Sequence, residues 1–184
     1  MTVPPSLIPW LECQKCPLGA KAKLHVLGRG ELPCNYIFLG EGPGKSEDVL
    51  GEAFIGRAGK LLDKAIALAS MGKPRRIYFT NLVACRPTDK IGGPNRQPNG
   101  DEILACMPRL KETFCLSKAD GLIVCGRLPE LVYEKFIKGQ EGFPVFKVLH
   151  VPHPSAIARR GGEKSEDWGK YHGKIGEFFR KVGL

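Results

Sequence analysis

Four cysteines, a glycine-rich turn, one asparagine and one histidine are the residues whose types and spacing allow chemistry. Cys13 and Cys16 form a C-x-x-C pair, and Cys85 and Cys106 lie far downstream. Two close thiols plus two distant ones suit a four-thiolate site, holding either zinc or an iron-sulfur cluster. The competing reading is a redox pair beside unrelated buried thiols. Cys34, Cys115 and Cys125 sit in or beside apolar runs and are expected in the core. The turn Gly40-Glu41-Gly42-Pro43-Gly44-Lys45-Ser46 approaches a phosphate-binding P-loop but is one residue short of it. Pro43 removes one of the amides that would wrap a phosphate, and no apolar strand ends in an Asp suited to magnesium. These departures argue against a nucleotide hydrolase or kinase.

The elements that must position these groups are short and alternate in type. The runs at 36–39, 77–80, 122–125 and 145–149 read as buried strands. Between them, Leu61, Leu62, Ala65, Ile66 and Ala69 make an apolar helical face. Ile103, Leu104, Met107 and Leu110 make a second, and Ile175, Phe178 and Phe179 a third. Strands alternating with helices predict an α/β fold with a mostly parallel four-stranded sheet covered on both faces, a three-layer α/β/α sandwich. Ligands of such sheets bind beyond the carboxyl ends of the strands. The Gly40 turn, Asn81 and His153-Pro154-Ser155 each follow a strand, so three strand ends can converge on one pocket. Segment 88–100 reads as a long surface loop.

Length and charge bound the rest. The 184 residues leave room for one domain, spanning 1–184. No apolar run approaches the roughly 20 residues of a membrane helix. Residues 1–10 carry no basic-then-apolar pattern of a secretory signal, so a cytoplasmic location is expected. That context also argues against a disulfide framework for the seven cysteines. A net charge of +9 favours a polyanionic partner, a property that nucleic-acid binders share with other basic proteins.

Taken together, the ordered motifs resemble the family 4 uracil-DNA glycosylases. The elements are Cys13 and Cys16, the GEGPG turn with Glu47-Asp48, and Ala53-Phe54-Ile55-Gly56-Arg57-Ala58-Gly59. Thr80-Asn81-Leu82-Val83-Ala84-Cys85-Arg86-Pro87, Asn95-Arg96, Pro98, Cys106 and His153-Pro154-Ser155-Ala156 follow in the same order. The loop 88–94 is longer than the family pattern.

The resemblance implies a 4Fe-4S cluster, with zinc as the alternative, held by Cys13, Cys16, Cys85 and Cys106. It implies uracil-containing DNA, single- or double-stranded, as the partner of a monomeric repair enzyme. Phe54 would stack on the flipped base, Asn81 would read it, and His153 would act in catalysis. Each role is physically sensible. An Asn carboxamide offers one acceptor and one donor to uracil N3–H and O4, and a donor toward O2 would stabilise the departing base. Alone, Asn81 would read as a strand-end cap and Phe54 as core. His25, His150 and His172 are read as structural.

Some other uracil-glycosylase families place an Asp where this chain has Gly42. Glu41 and Glu47 are then the candidates for orienting water or stabilising the sugar cation, and the Glu41 and Gly42 amides for touching uracil. Ser155, Arg159 and Arg160 are the expected DNA contacts, in a segment 155–162 that combines a small apolar wedge with two positive charges and suits a DNA groove. Three other functions fit parts of the pattern: a non-catalytic or covalently trapping binder of damaged DNA, a four-cysteine zinc module on nucleic acid, and excision of thymine or hypoxanthine.

Overall fold

The computed structural model describes residues 3–73 and 75–183; Met1 and Thr2, the start of the segment read for a signal, lie outside it. Four strands, β1 (Tyr36–Gly40), β2 (Ile77–Asn81), β3 (Gly121–Cys125) and β4 (Lys147–Val151), form one sheet in the order β2-β1-β3-β4. All three pairings are parallel. From β1 the chain moves outward to β2, and from β3 it moves the opposite way to β4. The topological switch point therefore lies between the carboxyl ends of β1 and β3, where open α/β sheets take their ligands.

The strand residues alternate between two cores, as a period of two requires. Tyr36, Phe38, Phe79 and Ile123 pack with α2 (Arg57–Ser70), α5 (Pro154–Arg159) and α6 (Asp167–Val182). Ile37, Leu39, Leu122 and Val124 pack on the other face with α3 (Gly100–Ser117) and α4 (Arg127–Phe136). The three-layer sandwich expected from the alternation is thus present. A short α1 (Lys45–Leu50) follows the glycine-rich turn. Among the described residues no helix is long and apolar enough to cross a membrane.

Several sequence expectations need correction. The fourth strand starts at Lys147, not at position 145, and it is a half-buried edge rather than a buried strand. Val145 is 93% exposed, while Phe146 packs edge-on against Phe114 of α3 instead of joining the sheet. Ile103 and Leu110 are buried as expected, whereas Leu104 is exposed, and α3 turns a second, polar stripe inward beside them. Glu102, Arg109, Thr113 and Ser117 are buried on that stripe, with the half-buried Cys106 between them at the i, i+3 and i+4 spacing of one helical face. Cys115 is exposed, unlike Cys34 and Cys125, which are buried as expected.

The 88–100 segment is the irregular, mostly exposed loop expected up to Asn99, but it is not free. Gly100 opens α3, which Asn99 and Glu102 start with a reciprocal capping box. Buried Arg86 donates to Asn95 Oδ1 and to the Gly93 carbonyl, both at 2.6 Å. Arg96 pairs with Asp89 and with buried Glu102, so the segment is tied at both ends.

Candidate active site

At the switch point a cleft of about 760 Å³ opens over the carboxyl ends of the sheet. Glu41, Gly42, Glu47, Phe54, Asn81, His153, Ser155 and Arg159 all line it. Residues as far apart in the chain as Glu41 and Arg159 are brought together because each follows, or is packed on, a parallel strand. The cleft also includes Arg57 at the start of α2 and Gly126, Arg127 and Leu128 after β3. The sequence reading overlooked this third strand end, although the strand-end rule applied to Gly126 as well. Arg160 does not line the cleft; it is exposed and pairs with Asp167 at 2.8 Å. The apolar wedge is also corrected: residues 154–159 form α5, and Ile157 is turned into the core.

His153 caps α5. Its Nδ1 accepts the backbone N–H of Ser155 at 3.2 Å and lies 2.8 Å from Ser155 Oγ. A backbone N–H can only donate, so Nδ1 is the acceptor and the neutral ring carries its proton on Nε2. Burial lowers the His153 pKa to about 4, Arg159 adds to this, and Glu47 opposes it. The imidazole is therefore neutral at pH 7 and offers Nε2–H as a donor.

Phe54 has φ +56°, a left-handed backbone that a bulky residue adopts only when its surroundings force it. Gly59 makes this possible, because any Cβ there would overlap the Phe54 carbonyl. The Phe54 ring lies 6.2 Å from the His153 ring at an interplanar angle of 29°. Asn81 is 3% exposed at the end of β2, directly across from Gly40 of β1. Gly40 leaves the space that Asn81 Oδ1 and the Phe54 ring occupy, since a Cβ at 40 would collide with both.

The two carboxylates differ. Glu47 accepts the Gly56 N–H at 3.0 Å and lies against Gly44, which fixes the turn around Phe54. Burial pushes the Glu41 carboxyl above the usual range, with a 3.4 Å hydrogen bond from Gln97 as a smaller opposing effect. Gly42 has no room for a side chain: a Cβ would come within 2.9 Å of the Pro87 ring and 3.0 Å of Val83.

The cysteines gather on the α3 side of the sheet. Burial, and then the neighbouring Cys106, Cys16 and Cys13, raise the Cys85 pKa to about 12. All seven cysteines are free. The N-terminal arm is pinned to α3 by Trp10 Nε1 donating to Glu112 at 2.9 Å, and His25 Nε2 bonds the Cys13 carbonyl at 2.8 Å. The Ala84 N–H and the Arg109 guanidinium both point at Cys106 Sγ, at 3.4 and 3.8 Å. Among the described residues no three His, Cys, Asp or Glu side chains are drawn to the spacing of a single metal ion. The donor set of four reduced thiols with N–H donors beside one sulfur fits a thiolate-bound cluster. His150 lies 3.8 and 3.6 Å from Glu130 and Glu134, and His172 packs on Trp168; both are away from the cleft.

A sequence profile of the Uracil DNA glycosylase superfamily matches residues 27–171, which include the cleft and two of the four gathered cysteines. The chain belongs to that superfamily. Its relatives include the type-4 uracil-DNA glycosylase of Pyrobaculum aerophilum, 35% identical over 170 residues that cover 84% of this chain and 83% of the relative. The Archaeoglobus fulgidus type-4 uracil-DNA glycosylase is 30% identical, covering 93% of this chain and 90% of its own. That of Thermotoga maritima is 38% identical over 80% and 79% of the two chains. In this superfamily member, the motif residues Phe54, Asn81 and His153 share one cleft, whereas Cys85 and Cys106 lie on the α3 side.

Proposed function

We propose that this protein is a DNA repair glycosylase that flips uracil out of DNA and hydrolyses its N-glycosidic bond, leaving an abasic site. The observation that carries this reading is the common cleft of Phe54, Asn81 and His153, in which His153 keeps Nε2–H as a free donor. A flipped uracil stacks on Phe54, and the Asn81 carboxamide pairs with N3–H and O4, a pattern cytosine does not match.

As the bond from C1′ to N1 breaks, its electron pair passes to the uracil ring and O2. His153 donates a hydrogen bond to O2 and stabilises that charge without giving up its proton. A neutral donor at this position needs no prior protonation at pH 7. Glu41, made more basic by burial, orients the water that attacks C1′ and takes its proton. Glu47 lies on the same cleft and offsets the positive charge of the sugar. Glu41 and Gly42 amides, which line the cleft, serve as backbone donors to the base. Ser155, Arg159, Arg160 and Arg57 contact the flanking DNA, the hydroxyl as a hydrogen-bond donor and the three guanidinium groups as cations, both suiting phosphates.

Cys13, Cys16, Cys85 and Cys106 hold a 4Fe-4S cluster, which cross-links the N-terminal arm to the segment after β2 and to α3.

The test is uracil release from an oligonucleotide by the brown holoprotein, beside His153→Ala, Asn81→Ala and a thymine-containing control. Release that falls about 10²–10³-fold in His153→Ala supports the reading. DNA binding with no release moves the assignment to a non-catalytic binder, and a stable protein–DNA adduct moves it to a trapping relative. Colourless protein that carries zinc replaces the cluster by a single-ion site.

A further inference from the structure

We propose that Arg109 is the positioning residue for Asn81, its buried positive charge balanced by the anionic thiolates of the four-cysteine site, so that this site and the base-reading residue form one electrostatic unit. The inference rests on the glycosylase reading above and deepens it.

Arg109 is among the largest fully buried side chains of the described residues, at 0% exposure. Its Nη1 donates to Thr80 Oγ1 at 2.8 Å, and its Nη2 donates to the carbonyls of Asn81 at 2.6 Å and Leu82 at 3.0 Å. One guanidinium thus clamps three consecutive residues at the carboxyl end of β2. Thr80 in turn donates to the Leu27 carbonyl at 2.8 Å, which fixes the strand end from its open side.

The charge is the puzzle. A buried guanidinium without a counter-charge is costly, and such groups are found paired. Among the described residues no carboxylate pairs with Arg109, and its Nε is buried without a partner. What it does have is sulfur. Nη2 lies 3.8 Å from Cys106 Sγ, one helical turn back on α3, and Cys85 is within its electrostatic range. Thiolates bound in a cluster carry net negative charge and accept N–H donors. They supply the missing counter-charge on one side of a group whose other side grips Asn81. A lysine could carry the charge, but its single nitrogen lacks the planar fork whose two nitrogens reach Thr80 on one side and the two carbonyls on the other.

The test compares wild-type holoprotein with Arg109→Gln and Arg109→Lys, using two readouts: the dissociation constant of free uracil and the Fe–S stretching bands in the resonance Raman spectrum. Arg109→Gln weakens uracil binding about tenfold or more, as loss of buried hydrogen bonds requires, and raises the KM for uracil-containing DNA more than it lowers kcat. It also moves the iron–cysteine stretch to higher frequency, because a donor to Cys106 is lost. Arg109→Lys keeps the charge, so its Raman bands lie nearer the wild type while uracil binding stays weak; it also decides the matter if Arg109→Gln does not fold. Wild-type values of both quantities in the variants, or a change in only one of them in Arg109→Gln, overturn the inference while wild-type uracil release leaves the glycosylase reading standing. Wild-type protein that neither releases uracil nor contains iron overturns both.

Discussion

His153 and Ser155 are joined through one ring nitrogen: Nδ1 accepts the Ser155 backbone N–H at 3.2 Å and sits 2.8 Å from its hydroxyl. The backbone donor is independent of the side chain at 155, so the tautomer survives loss of the hydroxyl. The ring is oriented by the first turn of α5, and its other nitrogen is left for the cleft.

This arrangement fixes the pH behaviour. His153 is held at a pKa of about 4, against an ordinary value of 6.5, by burial first and by Arg159 second. Its ring signals in NMR should show a neutral imidazole at pH 5.5, with no titration near 6.5. Because the unfolded chain binds the proton more tightly, this residue's contribution to stability is full above pH 6.5 and is lost as pH falls toward 4. Arg159→Ala should raise the His153 pKa and Glu47→Gln should lower it further. A His153 titration near 6.5 in the wild type sinks the assignment.

Gly40 is the spacer between the base reader and the stacking ring. Gly40→Ala places a methyl group against Asn81 Oδ1 and the Phe54 ring, which must move apart. The expected result is a loss of at least tenfold in kcat/KM for uracil, equivalent to about 1.4 kcal/mol, with a cooperative thermal transition retained. Unchanged kcat/KM would show that the two side chains do not act on the same base.

Gly42 tests why no acid stands in the turn. A side chain here meets Pro87 at 2.9 Å and Val83 at 3.0 Å, and the proline ring has little freedom to yield. Gly42→Asp should therefore lower both thermal stability and the single-turnover rate. A faster variant would mean that the turn shifts easily and that a carboxylate can be accommodated.

The cysteine site is away from His153, on the opposite face of the sheet from α5, so its first role is architectural. Cys85→Ala should reduce the yield of folded protein more than the specific activity of the folded fraction. Full yield with abolished activity is the result that contradicts this.

Much of this was legible in the sequence. Three of the four strand positions, the parallel sheet and its two covers follow from short apolar runs alternating with helical stripes. Phe54, Asn81 and His153 were found through their order in motifs and their places after strands, and all three line the cleft. The fourth strand was placed two residues early because Val145 and Phe146 are apolar, and apolarity does not say whether a residue joins a sheet or packs on a neighbouring helix. Phe146 does the second.

Periodicity reports which residues can share a face, and order along the chain reports which elements exist; those features the sequence by itself determined. What each face meets is set by contacts between residues far apart in the chain, and only the tertiary structure decided that. The α3 stripe reads as apolar through Ile103 and Leu110, yet a parallel buried stripe carries Arg109 because three acceptors and a sulfur wait opposite it. Ile157 follows a cleft histidine in sequence but turns inward, because α5 has one face on the core. The protonated nitrogen of His153 and the lack of room at Gly42 depend on neighbours only ångströms away, and no spacing rule encodes such distances.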